Sequence, residues 1–164
     1  ARGGEVDGKN YHFIGDERFS QMIDSAEFLE HANVFGNRYG TSKAEVANKR
    51  EQGQDVILEI DWQGAQQIRQ AMPQATGIFI LPPSVEALGE RLTSRGEDTQ
   101  ESIAKRLSEA KLDMSQAKHF DYLVVNQDFD TAISDFVAIV RAARLQKTVQ
   151  LQQPTVQALV QFDG

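Results

Sequence analysis

Three short, nearly continuous apolar runs constrain the fold of this chain most strongly. They are VILEI at residues 56–60, GIFIL at residues 77–81 and YLVV at residues 122–125. Strands of a parallel sheet that is covered on both faces have this composition. Segments compatible with helices separate and follow the runs, at about residues 63–72, 85–94, 101–118 and 131–150. Pro154 is expected to end the last helix. This alternation predicts an α/β fold with a parallel sheet flanked by helices.

The first third of the chain has a different pattern, which predicts a small mixed β and α unit. NYHFI at residues 10–14 has the composition of a strand, and a helix is expected at about residues 17–25. Apolar and polar residues mix over residues 28–42, where Gly36 supplies a turn. Ser42 can then cap a further helix.

Composition excludes several classes of protein. The 164 residues carry a net charge of -7, which argues against binding a nucleic-acid polymer through bulk electrostatics. The absence of cysteine excludes a disulfide framework and favours a reducing compartment, so the cytoplasm is the expected location. No apolar run approaches the roughly 18 to 20 residues of a membrane-spanning helix, and the first residues lack the pattern of a signal peptide.

Glu59 and Asp61 form the first candidate site. Alternation along a strand puts both carboxylates on one side, at the carboxyl end of VILEI, where open α/β sheets bind their ligands. Such acids can hold a hydrated Mg²⁺ beside phosphates. The structural alternative is that Asp61 caps the next helix while Glu59 pairs with a surface cation.

Arg91, Arg95 and Arg106 form the second candidate site. Arg91 and Arg95 share a helix face and repel each other unless an anion lies between them. Guanidinium groups around a hinge can clamp phosphates and stabilise the charge of phosphoryl transfer. The alternative is a solvated helix with local pairs such as Glu101 with Lys105.

The early unit holds a third group, Arg2, Tyr11, Glu30, Tyr39 and Thr41. A carboxylate in the semi-apolar segment FLEHA can accept hydrogen bonds from the N1 and N2 groups of guanine, a donor pair that adenine lacks. Thr41 can donate to guanine O6, while the arginine and the two tyrosines can hold a phosphate. The alternative is that the tyrosines are ordinary half-buried residues and that Glu30 lies at the surface.

Several motifs occur in one order with regular gaps, and together they resemble the bacterial guanylate kinases. They are GEVDGKNYHF, FLEHANVFGNRYGTS, ILEIDWQGAQQIR, IFILPPS, ERLTSRGEDTQESIAKRL and YLVVNQDFDTA. The resemblance runs from the first residue to about Arg144. It implies transfer of the γ-phosphate of ATP to GMP with Mg²⁺, on a P-loop-kinase-like parallel sheet with a nucleotide-monophosphate-binding unit and a helical lid.

The resemblance also implies roles for individual residues. Guanine would be read by Glu30, Thr41 and Asp61. The GMP phosphate would be held by Arg2, Tyr11 and Tyr39. The residues that close on the transferred phosphoryl group would be Arg91, Arg95 and Arg106. Glu59 stands where the family usually has an Asp beside the metal and its water, and Asn126 falls near the adenine side of the ATP site.

One motif of the family is missing. No G-x-x-x-x-G-K-[ST] loop occurs in these residues, although its amides, lysine and hydroxyl hold the donor phosphates and Mg²⁺. The first core strand, which lies between VILEI and GIFIL in this family, is missing as well. Each buried backbone N–H or C=O group left without a hydrogen-bond partner by the loss of this strand lowers the stability of the fold by about 1 to 3 kcal/mol. We therefore expect the chain as written to be an N-terminally truncated fragment with negligible kinase activity, in which most of the GMP site remains.

A single guanylate-kinase-like domain is expected. Its GMP-binding unit would cover about residues 1–52, and its core about residues 53–84 and 119–153. The lid with its flanking helices would cover about residues 85–118, and the tail residues 154–164. The sequence does not indicate the oligomeric state.

Two other functions fit parts of the pattern. The guanylate-kinase-like modules of membrane-associated scaffolds bind phosphopeptides without catalysis, but they typically lose the acidic pair that ILEIDWQG retains here. A related kinase that acts on a ribose bisphosphate should lack the pair Glu30 and Thr41.

Overall fold

The computed structural model describes residues 4–9, 11–34, 36–94 and 99–161 of the chain. The chain divides into two compact units, Ala1–Ala75 and Thr76–Gly164. Each unit has its own small sheet, antiparallel in the first and parallel in the second. The finer subdivision into monophosphate unit, core, lid and tail stays a prediction.

The first unit is built around a β-hairpin. Its elements are α1 (Asp16–Asp24), β1 (Phe28–Val34), β2 (Asn37–Ser42), α2 (Lys43–Glu51) and α3 (Trp62–Ala71). Gly36 precedes β2 with a φ of 82°, a left-handed conformation that glycine adopts without strain. The Ser42 hydroxyl accepts a hydrogen bond from the Glu45 amide at 3.4 Å and so caps α2. Helix α3 packs against β1, which places the helix N-terminus beside the hairpin.

Aromatic packing joins α1 to the hairpin. The rings of Phe19 and Phe28 are buried with their centroids 4.6 Å apart, and the Arg38 guanidinium lies 4.3 Å from the Phe19 ring centroid. The Phe28 ring lies directly over Gly40 on β2, where a Cβ atom would be 2.7 Å from Phe28 Cδ1. Gly40 is therefore needed for this packing because it leaves room for the ring.

The second unit contains a two-stranded parallel sheet and most of the helical residues. Its elements are β3 (Ile78–Leu81), α4 (Val85–Ser94), α5 (Gln100–Ser115), the 3-10 helix Gln116–His119, β4 (Tyr122–Val125), α6 (Phe129–Arg144), α7 (Lys147–Gln150) and α8 (Pro154–Val160). Ile78 pairs with Tyr122 and Leu81 with Val125. Val124 is 3% exposed, and α6 packs against β4.

Most of the predicted elements are confirmed. The helix predicted at residues 85–94 and the strand at residues 122–125 have the predicted bounds, and GIFIL contains β3. Helices α1, α3 and α5 begin one residue before their predicted starts. Regular apolar spacing was sufficient to locate these elements, and α3 and α5 also begin at polar N-caps, Asp61 and Thr99.

Two predicted strands are wrong. Within NYHFI, Tyr11 forms only an isolated bridge with Asp7, and residues 12–14 have no regular structure. VILEI at residues 56–60 has no ladder partner among the described residues, and Ile57 is 63% exposed. An apolar run becomes a strand only when another strand supplies its hydrogen bonds, and local sequence does not provide that partner.

The expectation for Pro154 is also wrong. The helix predicted to extend to residue 150 ends at Arg144, and Pro154 opens α8 at its first turn. Proline suits that position because its missing N–H would have no partner inside the helix in any case. Among the described residues, no helix is long and apolar enough to cross a membrane.

Gly40→Ala should destabilise the first unit. The added Cβ meets a rigid aromatic ring that cannot rotate away, so we expect a loss of about 1 to 3 kcal/mol in the free energy of unfolding, measured in urea. Gly89→Ala is the matched control, since a Cβ on Gly89 in α4 lies 3.5 Å from Leu107 Cδ1, an ordinary contact. That change should stabilise the chain by about 1 kcal/mol through helix propensity. Equal effects of the two substitutions would contradict this account of Gly40.

Candidate functional site

Glu30 is a buried acidic residue at the centre of the first unit. It lies on β1, is 3% exposed and is paired in register with Thr41 on β2. The Thr41 hydroxyl donates a hydrogen bond of 2.5 Å to Glu30 Oε1. Paired residues of an antiparallel hairpin project from the same face, so the hairpin register is what brings this hydroxyl to the carboxylate.

Burial raises the pKa of Glu30 above its usual value. Desolvation of the carboxylate is the largest cause and the negative charge of Asp61 adds to it, while the Thr41 hydrogen bond and the charge of His31 oppose the increase. Both carboxylates lie at Gly64, whose amide donates to Asp61 Oδ1 at 2.8 Å and whose Cβ, if it had one, would be 2.6 Å from Glu30 Oε2. The two acidic residues that the resemblance grouped together are therefore neighbours.

Asp61 is held by the start of α3. It is the N-cap of this helix, and its Oδ1 atom accepts a hydrogen bond of 2.8 Å from the Gly64 amide. Its Oδ2 atom accepts one of 3.3 Å from the Gln63 side chain. The structural alternative for Asp61, capping, is thus realised, but each carboxylate oxygen has a second lone pair that can accept from a ligand.

The raised pKa of Glu30 predicts how stability depends on pH. The folded chain binds the Glu30 carboxyl proton more tightly than the unfolded chain does. Protonation of Glu30 therefore stabilises the fold below the unfolded pKa of about 4.5, and this stabilisation is lost as the pH rises through the folded pKa. Glu30→Gln keeps the acceptor for Thr41 and removes the charge. It should be more stable than the wild type at pH 8, by about 1.4 kcal/mol for each unit by which the pKa is raised.

Urea unfolding at pH 5 and pH 8 measures this effect. Glu51→Gln, at an exposed carboxylate at the end of α2, is the matched control for the loss of one negative charge. An unfolding free energy for Glu30→Gln at pH 8 that is equal to or below that of the wild type would contradict the assigned environment.

The two tyrosines that the sequence identified lie together in the first unit. The ring centroids of Tyr11 and Tyr39 are 5.8 Å apart in an edge-to-face arrangement, and Tyr11 is 48% exposed. Both belong to the same unit as Glu30 and Thr41. Arg2, predicted to act with them, lies outside the described residues.

The second unit brings together two other predicted residues. The Arg91 guanidinium on α4 donates from Nη2 to the backbone oxygen of Asn126, which follows β4, at 2.8 Å. Both line a cavity of about 230 Å³, together with Ile80, Leu81, Pro82, Leu88 and Leu92. Arg106 is half-buried on α5, which packs against α4, and Arg95 lies outside the described residues.

Glu59 is exposed and lies within residues 56–60, the segment that was predicted to be a strand and has no regular secondary structure. No group of three or more His, Cys, Asp or Glu side chains suited to a metal ion occurs among residues 4–9, 11–34, 36–94 and 99–161. A single carboxylate can bind Mg²⁺ directly or through water, because this ion usually keeps several waters and is also held by substrate phosphates. The metal role of Glu59 stays a prediction.

Sequence reasoning missed two residues that shape the surroundings of Glu30. Gly64 on α3 is buried, and Gln67 one turn later bonds to the backbone of His31. A glycine inside an otherwise regular helical pattern was the available signal, since it costs about 1 kcal/mol relative to alanine and usually indicates a close approach. Gln67 gave no such signal, because a polar residue on a helix is ordinarily solvent-exposed.

The geometry of the first unit favours a particular kind of ligand. A buried carboxylate beside a second carboxylate attracts adjacent N–H donors, and the neighbouring hydroxyl can donate to a carbonyl. A planar ring with two neighbouring N–H groups and a carbonyl has this complementary edge. Anionic groups would be repelled at this point.

Comparison with known proteins shows which family the chain belongs to. The profile of the guanylate kinase family matches residues 1–143. A crystal structure of guanylate kinase from Anaplasma phagocytophilum superposes with a TM-score of 0.80 at 32% identity, covering 98% of this chain and 79% of that one. The chain thus has the α/β fold of that kinase.

Curated relatives with a higher sequence identity to this chain are also guanylate kinases. The guanylate kinase of Thiobacillus denitrificans is 50% identical over 152 residues, which are 93% of this chain and 73% of that protein. The guanylate kinase of Vibrio vulnificus is 53% identical over 149 residues, 91% of this chain and 72% of that protein. The chain belongs to the guanylate kinase family.

Proposed function

We propose that this sequence belongs to an enzyme that transfers the γ-phosphate of ATP to GMP, giving ADP and GDP. The observation that carries the proposal is the buried Glu30 carboxylate, in contact with Thr41 and within electrostatic range of Asp61. Membership of the guanylate kinase family supports the same reaction. GMP and ATP are the proposed partners and the cytoplasm is the proposed location.

Guanine recognition follows from the hydrogen-bond inventory of the site. Guanine N1–H and one N2–H can donate to the Glu30 carboxylate, and Asp61 can accept from the amino group. Thr41 has a single hydroxyl proton, which it donates to Glu30 in the ligand-free chain. When GMP binds, guanine N1–H replaces the Thr41 hydroxyl as the hydrogen-bond donor to Glu30. The Thr41 hydroxyl then donates to guanine O6. Adenine presents an acceptor at N1 and would leave the buried carboxylate without a donor.

The phosphate of GMP requires donors in the same unit. The Tyr11 and Tyr39 side chains lie together and are proposed to donate their hydroxyls to it, with Arg2 as the cationic partner. Two hydroxyls and one guanidinium hold a monophosphate in a fixed orientation without neutralising it completely. This leaves a phosphate oxygen free to act as the nucleophile.

Phosphoryl transfer depends mainly on position and electrostatics. The GMP phosphate oxygen forms a bond to the γ-phosphorus as the bond from that phosphorus to the bridging β-oxygen breaks, and the electron pair leaves with ADP. Arg91, Arg95 and Arg106 are proposed to stabilise the negative charge on the transferred group, and Asn126 to lie on the adenine side. Mg²⁺ neutralises charge on the ATP phosphates when it is bound, and Glu59 is proposed to reach it only through water.

The experiment that tests the function supplies the phosphate-binding loop that these 164 residues do not contain. A chimera in which a loop-bearing segment of the family precedes residue 1 should form ADP from ATP and GMP in the presence of Mg²⁺, whereas the 164 residues alone should show negligible turnover. GMP-dependent ADP release in a coupled assay measures both. An inactive chimera that binds phosphopeptides would instead favour the scaffold module.

A further inference from the structure

Gly64 lies within α3 although glycine weakens a helix. It is buried, it is the third residue of the helix and its backbone is helical, so it is not needed for an unusual backbone conformation. Alanine is favoured over glycine in a helix by up to about 1 kcal/mol, so helix propensity does not explain this glycine. The space that a side chain would occupy does explain it.

That space is filled mainly by the Glu30 carboxylate. A Cβ atom on Gly64 would be 2.6 Å from Glu30 Oε2, 3.3 Å from Glu30 Cδ and 3.3 Å from Ile60 Cβ. The other oxygen, Oε1, is bonded to Thr41 on the opposite side. The carboxylate is thus confined between β2 and the backbone of α3.

The backbone of Glu30 is confined as well, through its neighbour His31. The Gln67 side chain accepts from the His31 amide at 3.1 Å and donates to the His31 carbonyl oxygen at 2.8 Å. It therefore replaces the backbone of a neighbouring strand at this point of β1. With its backbone fixed to α3, Glu30 can respond to a side chain at position 64 only by moving its carboxylate.

We propose that Gly64 is a positioning residue for guanine recognition, which acts by leaving room for the Glu30 carboxylate against α3. Any side chain at this position would push the carboxylate away from Thr41 and Asp61, so the acceptors would no longer match the N1 and N2 donors. The inference rests on the proposed function, since it concerns how that site reads its base. It assigns no contact between Gly64 and the nucleotide.

Gly64→Ala in the 164-residue chain tests the inference. Calorimetric titration should show GMP binding weakened by between about 10-fold and 100-fold, as expected for the loss of a hydrogen bond to a charged group. AMP binding should not change. The urea midpoint should fall little or rise, because the displaced group is the flexible end of a side chain. Gly89→Ala, the same substitution in a helix with ordinary contacts, is the matched control and should leave GMP affinity unchanged.

Variants of Glu30 separate positioning from general damage. In a Glu30→Ala background, Gly64→Ala should cause no further loss of GMP affinity, because the group it displaces is gone. Glu30→Asp combined with Gly64→Ala should bind GMP more tightly than Gly64→Ala alone, since the shorter carboxylate avoids the new Cβ.

The possible outcomes are distinguishable. Wild-type GMP affinity in Gly64→Ala, or additive losses with Glu30→Ala, would overturn the positioning role while leaving the proposed function intact. A wild-type chain that binds GMP no better than AMP would contradict the proposed function, and the inference with it.

Discussion

Glu30→Ala should abolish the preference of the chain for GMP over AMP. Two donors of guanine lose their charged acceptor, and hydrogen bonds to charged groups are worth about 1.5 to 3 kcal/mol each, so GMP affinity should fall by roughly 100-fold or more. AMP affinity should stay unchanged or improve, because a buried carboxylate without a donor penalises adenine. Calorimetric titration of both nucleotides against the 164-residue chain measures the ratio.

The control is Glu51→Ala, which removes an exposed carboxylate from α2 in the same unit. It should leave the ratio of the two affinities unchanged. A Glu30→Ala chain that still binds GMP as tightly as the wild type, with AMP still rejected, would place the guanine-reading group elsewhere.

Arg95→Ala, made in the chimera that carries the phosphate-binding loop, should have the second large effect. An arginine that meets the transferred phosphoryl group stabilises charge that develops in the transition state, and such a group is worth on the order of 10³-fold or more in turnover. We expect kcat to fall by about that factor, with little change in the KM for GMP. This prediction rests on the sequence pattern, as Arg95 lies outside the described residues.

The control is Arg141→Ala, at an exposed position in the last turn of α6, which should leave kcat unchanged. Arg95→Lys should restore only part of the turnover, because an ammonium lacks the planar fork of the guanidinium. If Arg95→Ala raised the KM for GMP and left kcat intact, the residue would belong to substrate binding.

Most helices of this chain could be located from its sequence, whereas the lack of a partner for the VILEI segment within the described part of the chain could not be predicted. Ser42 and Asp61 cap α2 and α3, as the spacing of polar and apolar residues indicated. VILEI, in contrast, has the composition of a buried strand but no partner among the described residues. Helix hydrogen bonds are local, while those of a strand depend on a distant segment whose presence the run itself does not encode.

Local sequence likewise located the site residues but did not determine how they are arranged. The resemblance grouped Glu30, Thr41 and Asp61 as the residues that read guanine, and the hairpin register together with the start of α3 makes them neighbours. The burial of Glu30 and the space left by Gly64 depend on how α3 packs against β1. That packing arises from tertiary structure, so no local pattern in the sequence could reveal it. The roles of Arg2 and Arg95 stay predictions.

The measurement that tests the central claim most directly is an NMR titration of the 164-residue chain with GMP, observing the side-chain carboxyl carbon of Glu30 and the amides of Thr41 and Gly64. The account predicts that these three signals shift together as GMP saturates the chain, and that AMP at the same concentration leaves them in place. Saturation by GMP with the three signals unmoved would contradict it.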